Sequence, residues 1–321
     1  MNTNPIVIAH RGACGYLPEH SLEGKAAAFG MGVDFVELDA ILTRDDRPIV
    51  MHDHYLDALT DVTDRFPDRK RADGLHYAVD FTLNEIRQLG LHERVNLNTG
   101  EAEYPGRFPA GAALRFRIPT LEEELEMIRG LNRSMKKNVG VYIEPKGPAY
   151  HRSEGKNIER AVVRVLADFG YTDRGSRCCI QSFLPESIRY MKETMKCGLF
   201  MVQLIGDNTW AETPGVDYYG MLTPQGMDEV AQYADGIGPW MNQIVADAGN
   251  GAAPEYTKLV EWAHERGMEV HPYTFRADAL PSYVKSFNEL LETFYVRMGV
   301  DGIFTDFPDR AIDFLRQKGM R

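Results

Sequence analysis

Short apolar runs rich in β-branched residues alternate with stretches of apolar residues spaced near 3.6 along most of the 321-residue chain. That alternation is what parallel strands joined by crossover helices require. Strands are expected at Ile6 to Ala9, Phe35 to Ile41, Val139 to Ile143, Cys179 to Gln181, Leu199 to Leu204, Gly236 to Gly238, Glu269 to Tyr273 and Gly302 to Thr305. Between and after them, helices are expected at Leu22 to Met31, Thr120 to Leu131, Asn157 to Phe169, Pro185 to Met195, Pro224 to Tyr233, Glu255 to Arg266, Ser282 to Thr293 and Asp309 to Gln317. About eight strand–helix units is the number that closes a (β/α)8 TIM barrel, so an α/β barrel filling residues 1–321 as one domain is the expected fold.

The rhythm breaks from about residue 55 to 117, a stretch rich in Asp, Arg, Gly and Pro with one convincing short helix after Thr82. It reads as an insertion after the second strand region, lying over the catalytic end and ordered by turns around Pro105, Gly106, Pro109 and Gly111. Composition narrows the partners. With 36 Lys and Arg against 47 Asp and Glu, the formal charge is -11, and no long basic stretch offers a footprint for nucleic acid. A small anion remains a plausible ligand, because a bound cation and a few basic side chains set the local field in a cleft. No window holds the roughly 18 consecutive apolar residues of a membrane span, and stable membrane insertion is not expected. Ile6 to Ala9 leads straight into His10, leaving no room for an export signal, and Cys178 and Cys179 are adjacent, which suits no ordinary disulfide framework. As written the chain is expected in the cytoplasm; a mature form trimmed of its export signal would read the same and belong in the periplasm. If the chain assembles, a homodimer is the expected form.

The chemistry sits at strand ends. Glu37 and Asp39 are two apart on one strand, so their side chains leave the same face, which in a barrel is the interior or its rim. Glu144 and Lys146 repeat the spacing at the end of another strand. Three carboxylates converging without soft ligands describe a hard cation, Ca²⁺ or Mg²⁺, able to polarise a phosphoryl oxygen. The competing reading is of solvated strand ends paired with Arg or Lys, and inward-facing charges without partners are too costly for it. His10 and His52 each follow an apolar run, and two imidazoles supply the base and the acid that cleavage of a phosphodiester needs. Arg11 can hold phosphate oxygens through two parallel hydrogen bonds.

These residues, in this order, resemble the glycerophosphodiester phosphodiesterase family. The likeness rests on Ile8-Ala9-His10-Arg11-Gly12-Ala13, Pro18-Glu19-His20-Ser21, Glu37-Leu38-Asp39, Val50-Met51-His52-Asp53, Ile143-Glu144-Pro145-Lys146, Gln181-Ser182-Phe183, His271-Pro272-Tyr273-Thr274 and Asp301 to Pro308, and covers nearly the whole chain. Within the insertion, Asp61 to Arg69 and Tyr104 to Pro109 are similar to the bacterial periplasmic branch. The resemblance implies a barrel, a divalent cation held by Glu37, Asp39 and Glu144, and an acid/base pair in His10 and His52. It also implies hydrolysis of glycerophosphodiesters such as glycerophosphocholine and glycerophosphoethanolamine to sn-glycerol 3-phosphate and an alcohol. Three departures stand out: the export signal expected of the periplasmic branch is not read here, His20 replaces the more usual Asn as in that branch, and Pro145 replaces an aliphatic residue.

Lys146 joins Arg11 as a phosphate ligand in this reading, and Gln181 and Tyr273 are candidates to line the substrate pocket, with packing as the bland alternative. Trp210 and Trp240 read as lids or core fillers that could also cover a choline-like headgroup. Cys14 reads as a small buried filler. Asp306 either supports the site through hydrogen bonds or caps the following helix. His54 reads as an orienting or loop residue, and His20, His76, His92, His151 and His264 have no companions that suggest chemistry. Two alternatives compete: a related phospholipase or lysophospholipase D-type phosphodiesterase, which would want an apolar approach surface, and a non-catalytic phosphodiester-binding protein, which would have no use for an acid/base pair. A metal-dependent sugar isomerase would need more ligands than can be placed.

Overall fold

A computed structural model describes residues 4–210, 213, 215–247 and 253–321. Eight parallel strands form the central sheet: β1 (Ile6–Ala9), β2 (Phe35–Leu42), β3 (Gly140–Pro145), β4 (Cys178–Ser182), β5 (Phe200–Ile205), β6 (Gly236–Pro239), β7 (Glu269–Val270) and β8 (Gly302–Thr305). From β1 to β7 each pairs with the next in chain order, and β8 returns to pair with β1. Between β7 and β8 the ring is closed by a parallel bridge from Phe275 to Thr305 and by the Phe304 N–H bonding to Pro272 O at 3.0 Å. The fold is a nearly closed (β/α)8 barrel. The regular strand of β7 is shorter than the sequence suggests; the His271 and Tyr273 N–H groups still bond to Ile237 and Pro239 O of β6, while Pro272, with no N–H, gives β8 only its carbonyl.

Period-two alternation sorts the strand side chains into two layers. Val36, Leu38 and Ala40 of β2, Val141 and Ile143 of β3, and Ile180 of β4 face outward into the main core under the helices. Ile8, Phe35, Tyr142, Cys179, Val202 and Phe304 face inward and plug the lower half of the barrel. Burying each aromatic of that plug contributes roughly 1.5–3 kcal/mol. Continuing the same alternation toward the carboxyl ends of the strands brings up Glu37, Asp39, Glu144, Lys146 and Gln181. The barrel is thus apolar below and polar above.

Helices occupy the expected places, with caps that the sequence encodes. Ser21, Thr120 and Asn157 each accept a hydrogen bond from a backbone N–H in the first turn that follows them. The helix expected from Glu255 begins instead at Leu259, because Glu255–Tyr256 pairs as a two-residue strand with Val245–Ala246. In the helix expected over Pro185 to Met195 the α-helix gives way to a π-type turn at Tyr190, and the helix expected over Ser282 to Thr293 begins only at Phe287, capped by Ser286, before turning π-type at Glu292. The inserted stretch has a core of its own, in which Leu56, Leu59, Val62, Phe81, Leu83, Ile86, Leu91 and Phe116 pack with Ile41, Ile49 and Met51. It leaves the barrel through the short strand Pro48–Val50, antiparallel to β2, so it begins anchored to the strand that carries Glu37 and Asp39.

Candidate active site

All nine residues singled out as catalytic, metal-binding or substrate-binding line one cavity of about 580 Å³ at the carboxyl end of the barrel: His10, Arg11, Glu37, Asp39, His52, Glu144, Lys146, Gln181 and Tyr273. In TIM barrels this is the end at which strand termini and loops build active sites. Parallel register sets Asp39 of β2 directly beside Glu144 of β3, one strand spacing away. The opposite wall is aromatic and apolar, with Phe183, Leu204, Trp210, Trp240 and Leu280.

His10 and Arg11 leave β1 in a tight turn, with Arg11 at φ 54° and Gly12 at φ 95°. A Cβ on Gly12 would meet the backbone of Gly24 at 3.0 Å and the Lys25 stem at 3.1 Å, so glycine is needed both for the dihedral and for the approach. The Arg11 N–H donates to Glu37 Oε2 at 2.6 Å, and its guanidinium reaches Glu19 Oε1 at 2.9 Å and lies 3.7 Å from Asp39 Oδ2. Lys146 Nζ stands 3.1 Å from Glu144 Oε1.

Both histidines are oriented by carboxylates. His10 Nδ1 bonds to Asp306 Oδ1 at 2.7 Å and His52 Nδ1 to Asp53 Oδ1 at 2.6 Å. Burial would push Asp306 and Asp53 up, but the histidine hydrogen bonds and neighbouring arginines outweigh it and hold both well below the usual carboxylate range. An ionised acceptor makes each Nδ1 the donor, which leaves Nε2 with its lone pair. Burial, then Arg11, lowers His10 to about 4. Burial, then Arg11 and Lys146, lowers His52 as well. Both rings are neutral near pH 7.

The acidic cluster is electrostatically stressed. Burial, then repulsion from Asp39, raises Glu37 well above the ordinary glutamate value, whereas Asp39 is held low against its burial by His20, His52 and Lys146. Three polar atoms in the cavity lining are buried with no hydrogen-bond partner: Asp39 Oδ1, Arg11 Nε and Gln181 Oε1. Unsatisfied buried groups are costly, and two acceptors and a donor left open in one cleft are what a cation and a phosphate would satisfy. The carboxylate set therefore fits a hard cation by donor chemistry. A second group, His10, Cys14 and Asp306, has its potential ligand atoms within 4.8 Å of one another. It is held together by hydrogen bonding instead: Asp306 Oδ2 already accepts from Arg107 at 2.7 Å and Arg276 at 2.9 Å, and burial keeps the Cys14 thiol protonated.

Several contacts were not legible in the sequence. His20, which has no companions in the sequence that suggest chemistry, places Nε2 2.9 Å from Asp39 Oδ2. Asp306 orients His10 and does not cap the last helix, whose N-cap is Phe307. Glu19, Arg94, Arg107 and Arg276 complete the shell; Glu19 and Arg107 lie in segments that carry the family resemblance, whereas Arg94 and Arg276 were hidden, because an isolated Arg in a loop carries no periodic signal. His54 stacks on Tyr150 at 4.2 Å between ring centres, and His76 bonds to Asp57 at 2.7 Å, so both pack the insertion and its border. Tyr273 donates to Ile205 O at 2.8 Å, which fixes its ring against the cavity wall.

A barrel with this mouth belongs among the phosphodiester-cleaving enzymes, and comparison with known proteins agrees. The model of the glycerophosphoryl diester phosphodiesterase family matches residues 10–310. A glycerophosphodiester phosphodiesterase of Haemophilus influenzae is 41% identical, over 98% of this chain and 91% of the relative. One from Treponema pallidum is 33% identical, over 97% and 91% respectively. Among solved structures, a putative family member from Silicibacter pomeroyi aligns with a TM-score of 0.71 at 24% identity, covering 98% of this chain and 94% of that one. An Oleispira antarctica phosphodiesterase, solved with the product sn-glycerol-3-phosphate, aligns at 0.65 and 20% identity over 98% and 97% of the two chains. The chain belongs to the glycerophosphoryl diester phosphodiesterase family and is an enzyme of that kind. No helix among the described residues is long and apolar enough to cross a membrane.

Proposed function

We propose that the protein hydrolyses small glycerophosphodiesters, glycerophosphocholine and glycerophosphoethanolamine among them, to sn-glycerol 3-phosphate and the free alcohol, with a divalent cation held by Glu37, Asp39 and Glu144. The observation that carries this reading is one cavity whose lining includes two neutral, carboxylate-backed imidazoles, the cationic side chains of Arg11, Lys146 and Arg276, and the carboxylates of Glu37, Asp39 and Glu144. Ca²⁺ or Mg²⁺ bound there would supply positive charge to a phosphoryl oxygen and relieve the repulsion between Glu37 and Asp39.

The diester phosphate is gripped by Arg11 and Lys146, whose charge opposes the negative charge that builds up on its oxygens in the transition state. Gln181 and Tyr273 line the space around the substrate arms. One imidazole takes a proton at Nε2 from the nucleophile, water or the glycerol 2-hydroxyl, as its oxygen bonds to phosphorus. The bond from phosphorus to the alcohol oxygen breaks, and the other imidazole returns a proton to that oxygen. Besides burial, Arg11 depresses both histidines and Lys146 depresses His52; the arriving anion offsets these cations and so raises the basicity of the ring that must carry a proton. Attack by the 2-hydroxyl passes through a cyclic phosphate; attack by water does not. A binding protein without turnover is disfavoured by the two histidine–carboxylate pairs, which binding alone does not require.

The test is release of glycerol 3-phosphate from each diester in Ca²⁺, in Mg²⁺ and in chelator. Turnover restored by one of the ions after chelation supports the reading. Equal turnover in chelator removes the cation, and no turnover of either diester removes the substrate assignment.

A further inference from the structure

Both histidine–carboxylate pairs are held from behind by arginines that the insertion provides. Arg94 Nη1 donates to Asp53 Oδ2 at 2.6 Å, while its Nε and Nη2 grip the two oxygens of Glu19 at 3.0 and 2.8 Å. Glu19 in turn holds Arg11 Nη1 at 2.9 Å. One guanidinium therefore ties His52, through Asp53, to the arginine on the cavity floor, through Glu19. On the other side Arg107 donates to Asp306 Oδ2 at 2.7 Å and, through Nε, to Asp278 Oδ2 at 2.9 Å, with its guanidinium 3.8 Å from the centre of the Tyr104 ring. Arg276, from the segment between β7 and β8, donates to the same Asp306 oxygen at 2.9 Å.

Neither arginine lines the main cavity, so neither meets the phosphate there. Both are largely withdrawn from solvent, with side chains 15% and 3% exposed, and a desolvated guanidinium held by bidentate carboxylate contacts is a stiff anchor. Each aspartate thus carries a guanidinium on one oxygen and an imidazole Nδ1 on the other. We propose that Arg94 and Arg107 are positioning residues that fix the ring orientation and tautomer of His52 and His10 through Asp53 and Asp306, so that the insertion is a working part of the active site and not only a cover over it. The proposal rests on His10 and His52 being the acid/base pair. It also predicts an asymmetry: Arg276 shares Asp306 with Arg107, whereas Arg94 alone links Asp53 to Glu19, so losing Arg94 should matter more.

The experiment combines steady-state kinetics with long-range ¹H–¹⁵N spectra of the histidine rings in the full-length protein. Arg94→Gln is expected to lower kcat about tenfold or more while KM changes less than about threefold, because a loosened proton-transfer group costs rate before it costs binding. The ring nitrogens of His52 should leave the single Nδ1–H form while those of His10 stay, and Arg107→Gln should give the converse with a smaller fall in kcat. Arg94→Lys, which keeps the charge without the fork, should fall between and serves if the glutamine variant does not fold. Arg65→Gln, at an exposed arginine of the same insertion paired with Asp61, is the control and should keep wild-type kcat. Unmoved His52 ring signals in both folded Arg94 variants would overturn the proposal, as would a loss of kcat no larger than the loss of folded protein. Full turnover by His10→Ala or His52→Ala would overturn the acid/base reading itself; the ring spectra separate the cases, since they report tautomer without any turnover.

Discussion

His20 Nε2 lies 2.9 Å from Asp39 Oδ2, in a residue held in the left-handed region at φ 60°. The two facts together explain why His stands where Asn is the commoner choice: both tolerate positive φ, and both offer an N–H to the carboxylate. Burial, then Lys25, lowers the His20 pKa to about 3, so the ring is neutral and donates a single hydrogen bond. Ligand carboxylates depend on such partners for orientation, and losing one typically costs about 10–100-fold in metal affinity. With the proposed cation at Asp39, His20→Ala should therefore raise the Ca²⁺ or Mg²⁺ concentration giving half-maximal rate by about that factor, whereas His20→Asn should stay within a few-fold of wild type. Equal behaviour of the two variants would dissociate His20 from cation binding.

Replacing either candidate acid/base residue tests the reaction directly. His10→Ala and His52→Ala should each lower kcat by about 10²–10⁴ with little change in KM, because proton transfer is made in the transition state and not in the bound ground state. The cleaner reporter is the product mixture. A cyclic phosphate detected by ³¹P spectroscopy in one variant and absent in the other would identify the 2-hydroxyl as nucleophile and assign the two histidines to the two steps.

The barrel was readable because its signal is periodic. Seven of the eight strands lie within a residue or two of the expected bounds, since β-branched inward/outward alternation is a local property of the chain. The residues of the cavity were readable where spacing carried them, as with Glu37 and Asp39 two apart on β2. The shell around them was not. Asp306 meets His10 across 296 positions of sequence, and Arg107 meets Asp306 across 199, by contacts that exist only once the ring has closed. Arg94 and Glu19 are joined by an insertion whose path is set by its own small core, and no local pattern announces that path. The same holds for Glu255, whose pairing with Val245–Ala246 overrides a helical pattern.

Lys25 and Glu124 form a wholly buried ion pair at 3.3 Å between the helices Leu22–Met31 and Leu121–Met135. Lys25 also donates to the carbonyl of Glu37, which links this pair to the strand beneath the cavity. Burial raises Glu124 to about 7, with Lys25 only partly offsetting it. Removing one partner of such a pair costs about 3–5 kcal/mol, while replacing both with apolar groups of similar volume is often neutral or stabilising. Lys25→Met should therefore lose several kcal/mol in urea unfolding, and Lys25→Met with Glu124→Leu should regain most of it. A double variant as unstable as the sum of the single ones would mean that the lysine acts mainly through Glu37 and not through the pair.

His151 supplies the pH prediction, since it lies away from the cavity and its hydrogen bonds fix its state. Its Nε2 accepts from the Leu42 N–H at 3.0 Å and its Nδ1 donates to Gly147 O at 3.2 Å, an arrangement only a neutral ring can make. Burial lowers its pKa to about 4, against 6.5 in the unfolded chain. Between those values the unfolded chain binds a proton that the folded protein does not, so the contribution to stability is fully present above pH 6.5 and is lost as the pH falls toward 4. The slope for one such group is about 1.4 kcal/mol per pH unit. His10 behaves in the same direction, and its own value of about 4 adds to the total. His151→Gln removes one titrating group, so its unfolding free energy should start lower at pH 7 and then fall less steeply than wild type between pH 6.5 and 4.5, by about that slope. Parallel curves for the two proteins would show that Leu42 and Gly147 do not hold His151 in the neutral form.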